Sequence, residues 1–224
     1  MSLRFAGLTG GGALVVATGA LAQAPVAWVE APSVADMAAA YPAKGKAAGL
    51  GAGVELTCEI ARTGHPKNCE ALAEKPSGYG FGFAARKLAE HLRVADPAMI
   101  GKEVRIPVTF DPAVLKGEPT ITRPAWAVLP TASDFQASFP KAANGINEVR
   151  VVLACTVADG GALAGCAVDQ EEPAGQGFGA GALVLAPKFR VGPWSLDGQP
   201  TVGAKVRVPI RYELTPAQAS APKP

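Results

Sequence analysis

Four cysteines are the residues of this chain whose type and spacing most clearly suggest chemistry. They fall as two pairs, Cys58 with Cys69 and Cys155 with Cys166, each 11 apart. Paired cysteines serve as disulfides, as redox-active dithiols or as metal ligands. Redox-active pairs normally take Cys-x-x-Cys spacing at a helix start, which is absent here. A metal site needs further ligands. His65 lies between the first pair, but Ala162 stands at the matching place between the second. Each pair instead flanks a turn, Thr63-Gly64 in one case and Asp159-Gly160-Gly161 in the other. Residues opposed across an antiparallel pair have Cα atoms about 4.5–5.5 Å apart, inside the range a disulfide spans. We read both pairs as staples across β-hairpins, each stabilising by roughly 3 kcal/mol.

The remaining titratable residues do not converge. The two histidines, His65 and His91, have Ala162 and Lys188 as counterparts in the second half of the chain. Glu171-Glu172 sits beside a turn and reads as solvated. Gly78-Tyr79-Gly80-Phe81-Gly82 has the look of a nucleotide loop, but it lacks a lysine at the required place and is better read as the start of a helix. No Gly-x-Ser-x-Gly occurs. The sequence therefore predicts no catalytic, cofactor-binding or metal-binding residues and no enzyme activity.

The elements that hold the cysteines occur twice. Trp28 matches Trp126 and Tyr41-Pro42 matches Phe139-Pro140 at an offset of 98. Both cysteine pairs, and Gly80-Phe81-Gly82 with Gly177-Phe178-Gly179, match at 97. Val104–Val108 matches Val206–Ile210 at 102. Ordered matches with small indels mark a tandem duplication. We place the units at residues 23–112 and 124–214, a linker at 113–123 and a flexible tail at 215–224. In each unit Ser33 or Thr131 can cap a short helix, with Asp36 or Asp134 three residues on near the positive end of its dipole. Alternation then predicts a strand, with Val54, Leu56, Cys58 and Ile60 on one face and Val149, Val151, Leu153, Cys155 and Val157 as their equivalents. A return strand, a helix near Phe81–His91 or Phe178–Ala186, and a closing strand, Val104–Phe110 or Val206–Tyr212, complete each unit. The fold class is α+β, two small tandem units, each helix, hairpin, helix, strand, with an antiparallel sheet.

Apolar residues make up 49% of the 224 and charged residues 18%, enough for packed cores. A formal charge of +2 excludes a broad nucleic-acid footprint, and 6% aromatics argues against a stacking platform for sugars or single strands. Arg4, the apolar stretch from Phe5 to Leu21 and Ala20-Leu21-Ala22 have the form of a secretory signal cleaved between Ala22 and Gln23. The alternative is a retained membrane anchor. That stretch is short of the usual ~20 residues and carries Gly10, Gly11 and Gly12. Cleavage would leave no membrane span and deliver the chain to an oxidising compartment, where paired cysteines become disulfides.

The order and spacing of Phe139-Pro140, Val149–Val157, Asp159-Gly160, Cys166–Val168, Gly177–Leu185, Phe189-Arg190-Val191 and Val206–Tyr212 resemble the TonB C-terminal domain family. Tyr41-Pro42, Val54–Ile60, Gly80–Leu92 and Val104–Phe110 repeat the pattern. The resemblance implies a periplasmic protein that binds an extended segment of an envelope or outer-membrane protein by strand addition. A working TonB transducer has an uncleaved membrane helix and a long proline-rich spacer. Here the few residues before the first helix would reach only about 30 Å even as polyproline. Three functions follow as expectations: a peptide-binding envelope module, a structural accessory protein with no free sheet edge, or a degenerate transducer in transport. Pro209, like Pro107, lacks a ladder donor and points to an edge strand. The expected contact edge is Val206, Arg207, Val208, Pro209, Ile210 and Tyr212.

Overall fold

The computed structural model describes residues 26–117, 119–140 and 148–213. Its architecture is α+β with antiparallel sheets, and two hydrophobic cores lie along the chain. The first set of elements is β1 (Trp28–Glu30), α1 (Val34–Ala40), α2 (Ala43–Ala47), β2 (Ala52–Ile60), β3 (Pro66–Lys75), α3 (Phe81–Ala89), β4 (Arg93–Val94) and β5 (Glu103–Phe110). A 3-10 turn, Pro112–Lys116, and the short strand β6 (Thr120–Ile121) connect it to the second set. That set is β7 (Trp126–Val128), α4 (Ala132–Ala137), β8 (Glu148–Val157), β9 (Leu163–Glu172), α5 (Phe178–Leu185), β10 (Arg190–Val191) and β11 (Lys205–Glu213).

One sheet runs β3-β2-β5 and the other β6-β11-β8-β9. Strict alternation makes one face of each central strand apolar, and that face meets the helices. Val54, Leu56, Cys58 and Ile60 are at most 4% exposed, and their neighbours Glu55, Thr57 and Glu59 lie on the outer face. Helix α3 supplies Phe81, Ala85 and Leu88 to the same core. In the second core Val149, Val151, Leu153 and Cys155 pack with Phe178, Ala182 and Leu185. Each core has an aromatic trio at its centre. Tyr41, Phe81 and Phe110 have ring centroids 5.1–5.6 Å apart. Phe139, Phe178 and Tyr212 lie 4.8–5.9 Å apart. The hydroxyl has changed places between the copies. Tyr41 donates to the Leu50 carbonyl, whereas Tyr212 receives a bond from Ser138 Oγ at 3.4 Å. Burial raises the pKa of both phenols.

Local signals set the element ends. Ser33 Oγ accepts from the Asp36 amide while Asp36 accepts from the Ser33 amide, and Thr131 with Asp134 repeats the box. The hydrogen bonds from Ser33 hold the Asp36 carboxyl below its usual range. Thr131 and, 3.2 Å away, Lys188 lower that of Asp134 to about 2. Before α3 and α5, Gly80 and Gly177 take φ of 90° and 83°. Just beyond them the first helical amide donates to a carboxylate seven residues back, Phe81 to Glu74 at 3.1 Å and Phe178 to Glu171 at 2.9 Å. Glu171 thus caps a helix rather than standing solvated as the sequence reading had it.

Cys58 is bonded to Cys69 and Cys155 to Cys166, with Cα separations of 4.2 and 4.1 Å. The cysteines are not simply opposed. Thr57 pairs with Glu70 and Glu59 with Lys67, so Asn68 and Cys69 together oppose Cys58 across a bulge. The bulge needs a left-handed backbone at its first residue. Asn68 has φ 52° and its counterpart Gly165 has φ 57°, the residue types that tolerate that region.

The segment 113–123, expected as a linker, is structured at both ends. Val114 is buried in the first core, and Ile121, 2% exposed, lies in β6 on the second sheet. Two small antiparallel pairs, β1 with β4 and β7 with β10, also went unread, since strands of two or three residues carry no periodicity.

Candidate functional site

The expected contact edge lies in β11, the closing strand of the second unit. Val206, Val208, Ile210 and Tyr212 face the core at 1–3% exposure. Arg207, Pro209 and Arg211 stand on the outer face. There Arg207 pairs with Asp169, and Arg211 Nε lies 2.8 Å from Glu148. On one side β11 pairs with β8 from Lys205 to Glu213 without interruption. On the other it meets only β6, in parallel, at Lys205 and Val206. The Lys205 amide donates to the Pro119 carbonyl on that side. Backbone groups alternate between the two edges of an antiparallel strand. The amides of Arg207 and Arg211 and the carbonyls of Arg207, Pro209 and Arg211 therefore face outward. Pro209 fits within a fully paired strand because its missing N–H falls on this outer side. The parallel register Val206↔Ile121 takes up the Arg207 amide at the Ile121 carbonyl, and among the described residues no strand pairs with the outer edge beyond it, 209–213.

The equivalent edge of β5 is occupied. β5 pairs with β2 from Glu103 to Phe110, and Pro107 sits opposite Glu55. Along its outer side runs the loop 192–204. The Thr109 amide donates to the Gly198 carbonyl at 2.7 Å, and Thr109 Oγ1 donates to the Asp197 carbonyl at 2.6 Å. Trp194 Nε1 donates to the Pro107 carbonyl at 3.3 Å, and the indole, 3% exposed, joins the first core. Gly198, at φ 82°, lies so close that a Cβ would collide with the backbone of Pro107 and Val108. Asp197 closes the loop by accepting from Ser195 Oγ at 2.5 Å and from Thr122 Oγ1 at 2.9 Å. This loop is five residues longer than its counterpart 95–102, which is why the repeat offset grows from 97 to 102. The offset betrayed an insertion. Trp194 has no partner in the repeat, and that was the available signal that the insertion does something.

β5 ends its sheet, whereas β11 lies between β6 and β8 and Pro209 stands beyond the short stretch that β6 covers; Pro107 lies under a loop and Pro209 does not. His65 Nδ1 lies 2.9 Å from the Leu92 carbonyl, a contact that ties the hairpin turn to the chain after α3. Among the described residues no cluster of three or more His, Cys, Asp or Glu is arranged to hold a metal. No helix among them is long and apolar enough to cross a membrane. Two disulfides accord with an extracytoplasmic protein. The cleavage residues Ala22 and Gln23 lie outside the described residues. No protein-family model matches the chain. No curated protein matches it in sequence either.

Proposed function

We propose that this is an exported, non-enzymatic envelope protein of two TonB C-terminal-like units, whose second unit captures an extended protein segment by strand addition. The observation that carries the reading is the state of β11, paired along its whole length on one side and, among the described residues, without a partner strand from 209 to 213 on the other. An open edge supplies backbone donors and acceptors to a partner strand, and flanking side chains select it. Arg207 and Arg211, exchanging their exposed pairs with Asp169 and Glu148, would meet carboxylates on that partner. The perturbed ionisable groups have structural causes that leave none of them poised for catalysis. Asp36 and Asp134 cap helices, Glu30 and Arg93 pair with each other, and Tyr41 and Tyr212 fill cores. We place the protein in the periplasm, processed between Ala22 and Gln23, on the strength of its leader sequence and its disulfides.

The covered edge of β5 favours a second reading for the closing strand of the first unit, that of a structural accessory protein whose closing edge is not free. The degenerate transducer requires a retained leader, and the intact mass of the exported protein separates it from the others. For the binding reading, partners are captured from envelope extract, and amide exchange of the purified complex is then followed along Val206–Tyr212. Slowed exchange at Arg211 is expected. Charge reversal by Arg207→Glu should weaken capture, while loss of the exposed pair with Asp169 should cost no more than about 1 kcal/mol of stability. Unaltered exchange along this strand in the complex would rule out strand addition here.

A further inference from the structure

A second surface, on the first unit and independent of β11, has its own chemistry. It lies where α3 crosses the start of β3, around a shallow cavity of about 230 Å³. Phe83 stands 62% exposed at its wall. The Arg86 guanidinium and the Lys87 ammonium flank that ring at 5.9 and 6.0 Å from its centroid. Lys67 adds a third cation and Glu90 the one carboxylate of the lining. Lys67 is paired with Glu59 at 3.0 Å. Arg86 and Lys87 have no ion-pair partner among the described residues.

The duplication shows what the fold itself requires here. At the matching positions of the second unit stand Ala164 for Lys67, Ala180 for Phe83, Leu183 for Arg86, Val184 for Lys87 and Pro187 for Glu90. The same helix and strand meet there in the same way without an aromatic ring or a cation. Packing therefore does not demand an exposed phenylalanine between two unpaired cations. In a chain with a formal charge of only +2, this is a local concentration of positive charge. A cation over an aromatic face keeps its charge available to an anion while the ring offers apolar contact.

We propose that the α3–β3 groove binds an acidic, extended peptide segment, with carboxylates at Arg86 and Lys87 and one large apolar side chain against Phe83. A peptide suits the site better than a lipid surface. One wall is β3, the outer strand of its sheet, whose outer backbone groups face no other strand among the described residues. A peptide backbone can satisfy them and an acyl chain cannot.

The test uses the chain purified with both disulfides formed and isotopically labelled. The probe is a short synthetic peptide alternating glutamate with leucine around one phenylalanine. Amide shifts at 66–69 and 81–90 are expected, saturating together and weakening as salt is raised. The same peptide with glutamine in place of glutamate should bind at least about tenfold more weakly, as should the original peptide to the Arg86→Glu, Lys87→Glu double variant. Both substituted side chains are exposed, so an unchanged thermal midpoint is expected. The glutamine peptide tests the claim on the unaltered chain should the variant not fold. Three results would overturn the proposal: no shifts in the groove up to millimolar peptide, equal affinity for the glutamate and glutamine peptides, or groove shifts produced by phosphatidylglycerol vesicles and not by the peptide.

Discussion

β5 and β11 are the same strand twice, with the same core-facing alternation and the same proline, and they end in opposite circumstances. β5 has a tryptophan, a glycine carbonyl and an aspartate carbonyl laid against its outer side. β11 has a two-residue strand at its start and an open edge beyond. The difference does not come from the strands. It comes from a five-residue insertion in the loop before β11, which reaches across to the other unit. Exposed strand edges invite unwanted pairing, and covering them with a loop is one natural remedy. Here one edge is covered and, among the described residues, most of its duplicate is not.

The largest expected effect comes from removing the cover. Trp194→Ala deletes a buried indole from the first core together with its bond to Pro107. It should cost about 3–5 kcal/mol in denaturant unfolding. It should also speed exchange of the Thr109 amide. A loss under about 1 kcal/mol would mean that the loop merely lies on β5. Next come the staples. Both close loops of the same length, at a separation of 11. Replacing Cys58 and Cys69, or Cys155 and Cys166, by alanine should cost about 3 kcal/mol in either unit. A large inequality would show that the units differ at their hairpins as well as at their closing strands.

Smaller effects probe the caps. Thr131→Ala should cost about 1 kcal/mol by calorimetry, as should Ser33→Ala. Acidification reads the same contact. The Asp134 carboxyl is depressed in the folded chain from 3.8 to about 2. Its contribution is therefore fully present above the unfolded value and is lost as the pH falls through that interval toward about 2. Amide resonances of α4 followed over this range should report the fraying. No change below pH 3.8 would mean that the box does not hold α4.

Much of this arrangement was legible from residue types alone. Alternation named the buried faces of β2, β8 and the closing strands, and the Ser33 and Thr131 boxes located two helix starts. The cysteine spacing gave the hairpins, because a staple must bring two chain positions together. What could not be read depends on contacts between distant segments. Asn68 and Gly165 lie at matching positions and both tolerate left-handed backbone, yet a bulge has no other mark. Glu74 and Glu171 cap helices from seven residues away, outside any local capping pattern. Trp194 falls outside the repeated pattern and Thr120-Ile121 inside the expected linker, since each is placed by contacts with distant segments rather than by its neighbours in sequence. For the candidate edge, proline placed β5 at a sheet margin, but β11 has β6 outside it at its start, and nothing in either strand itself says how far its margin is covered.

The most direct test of that asymmetry is amide hydrogen exchange of the free protein, comparing Thr109 with its counterpart Arg211. The account predicts that Thr109, bonded to the Gly198 carbonyl, is protected to nearly the level of the neighbouring core strands, while Arg211 exchanges orders of magnitude faster. Comparable protection of Arg211 and Thr109 in the free chain would contradict it, because β11 would then have a cover of its own and no edge to offer.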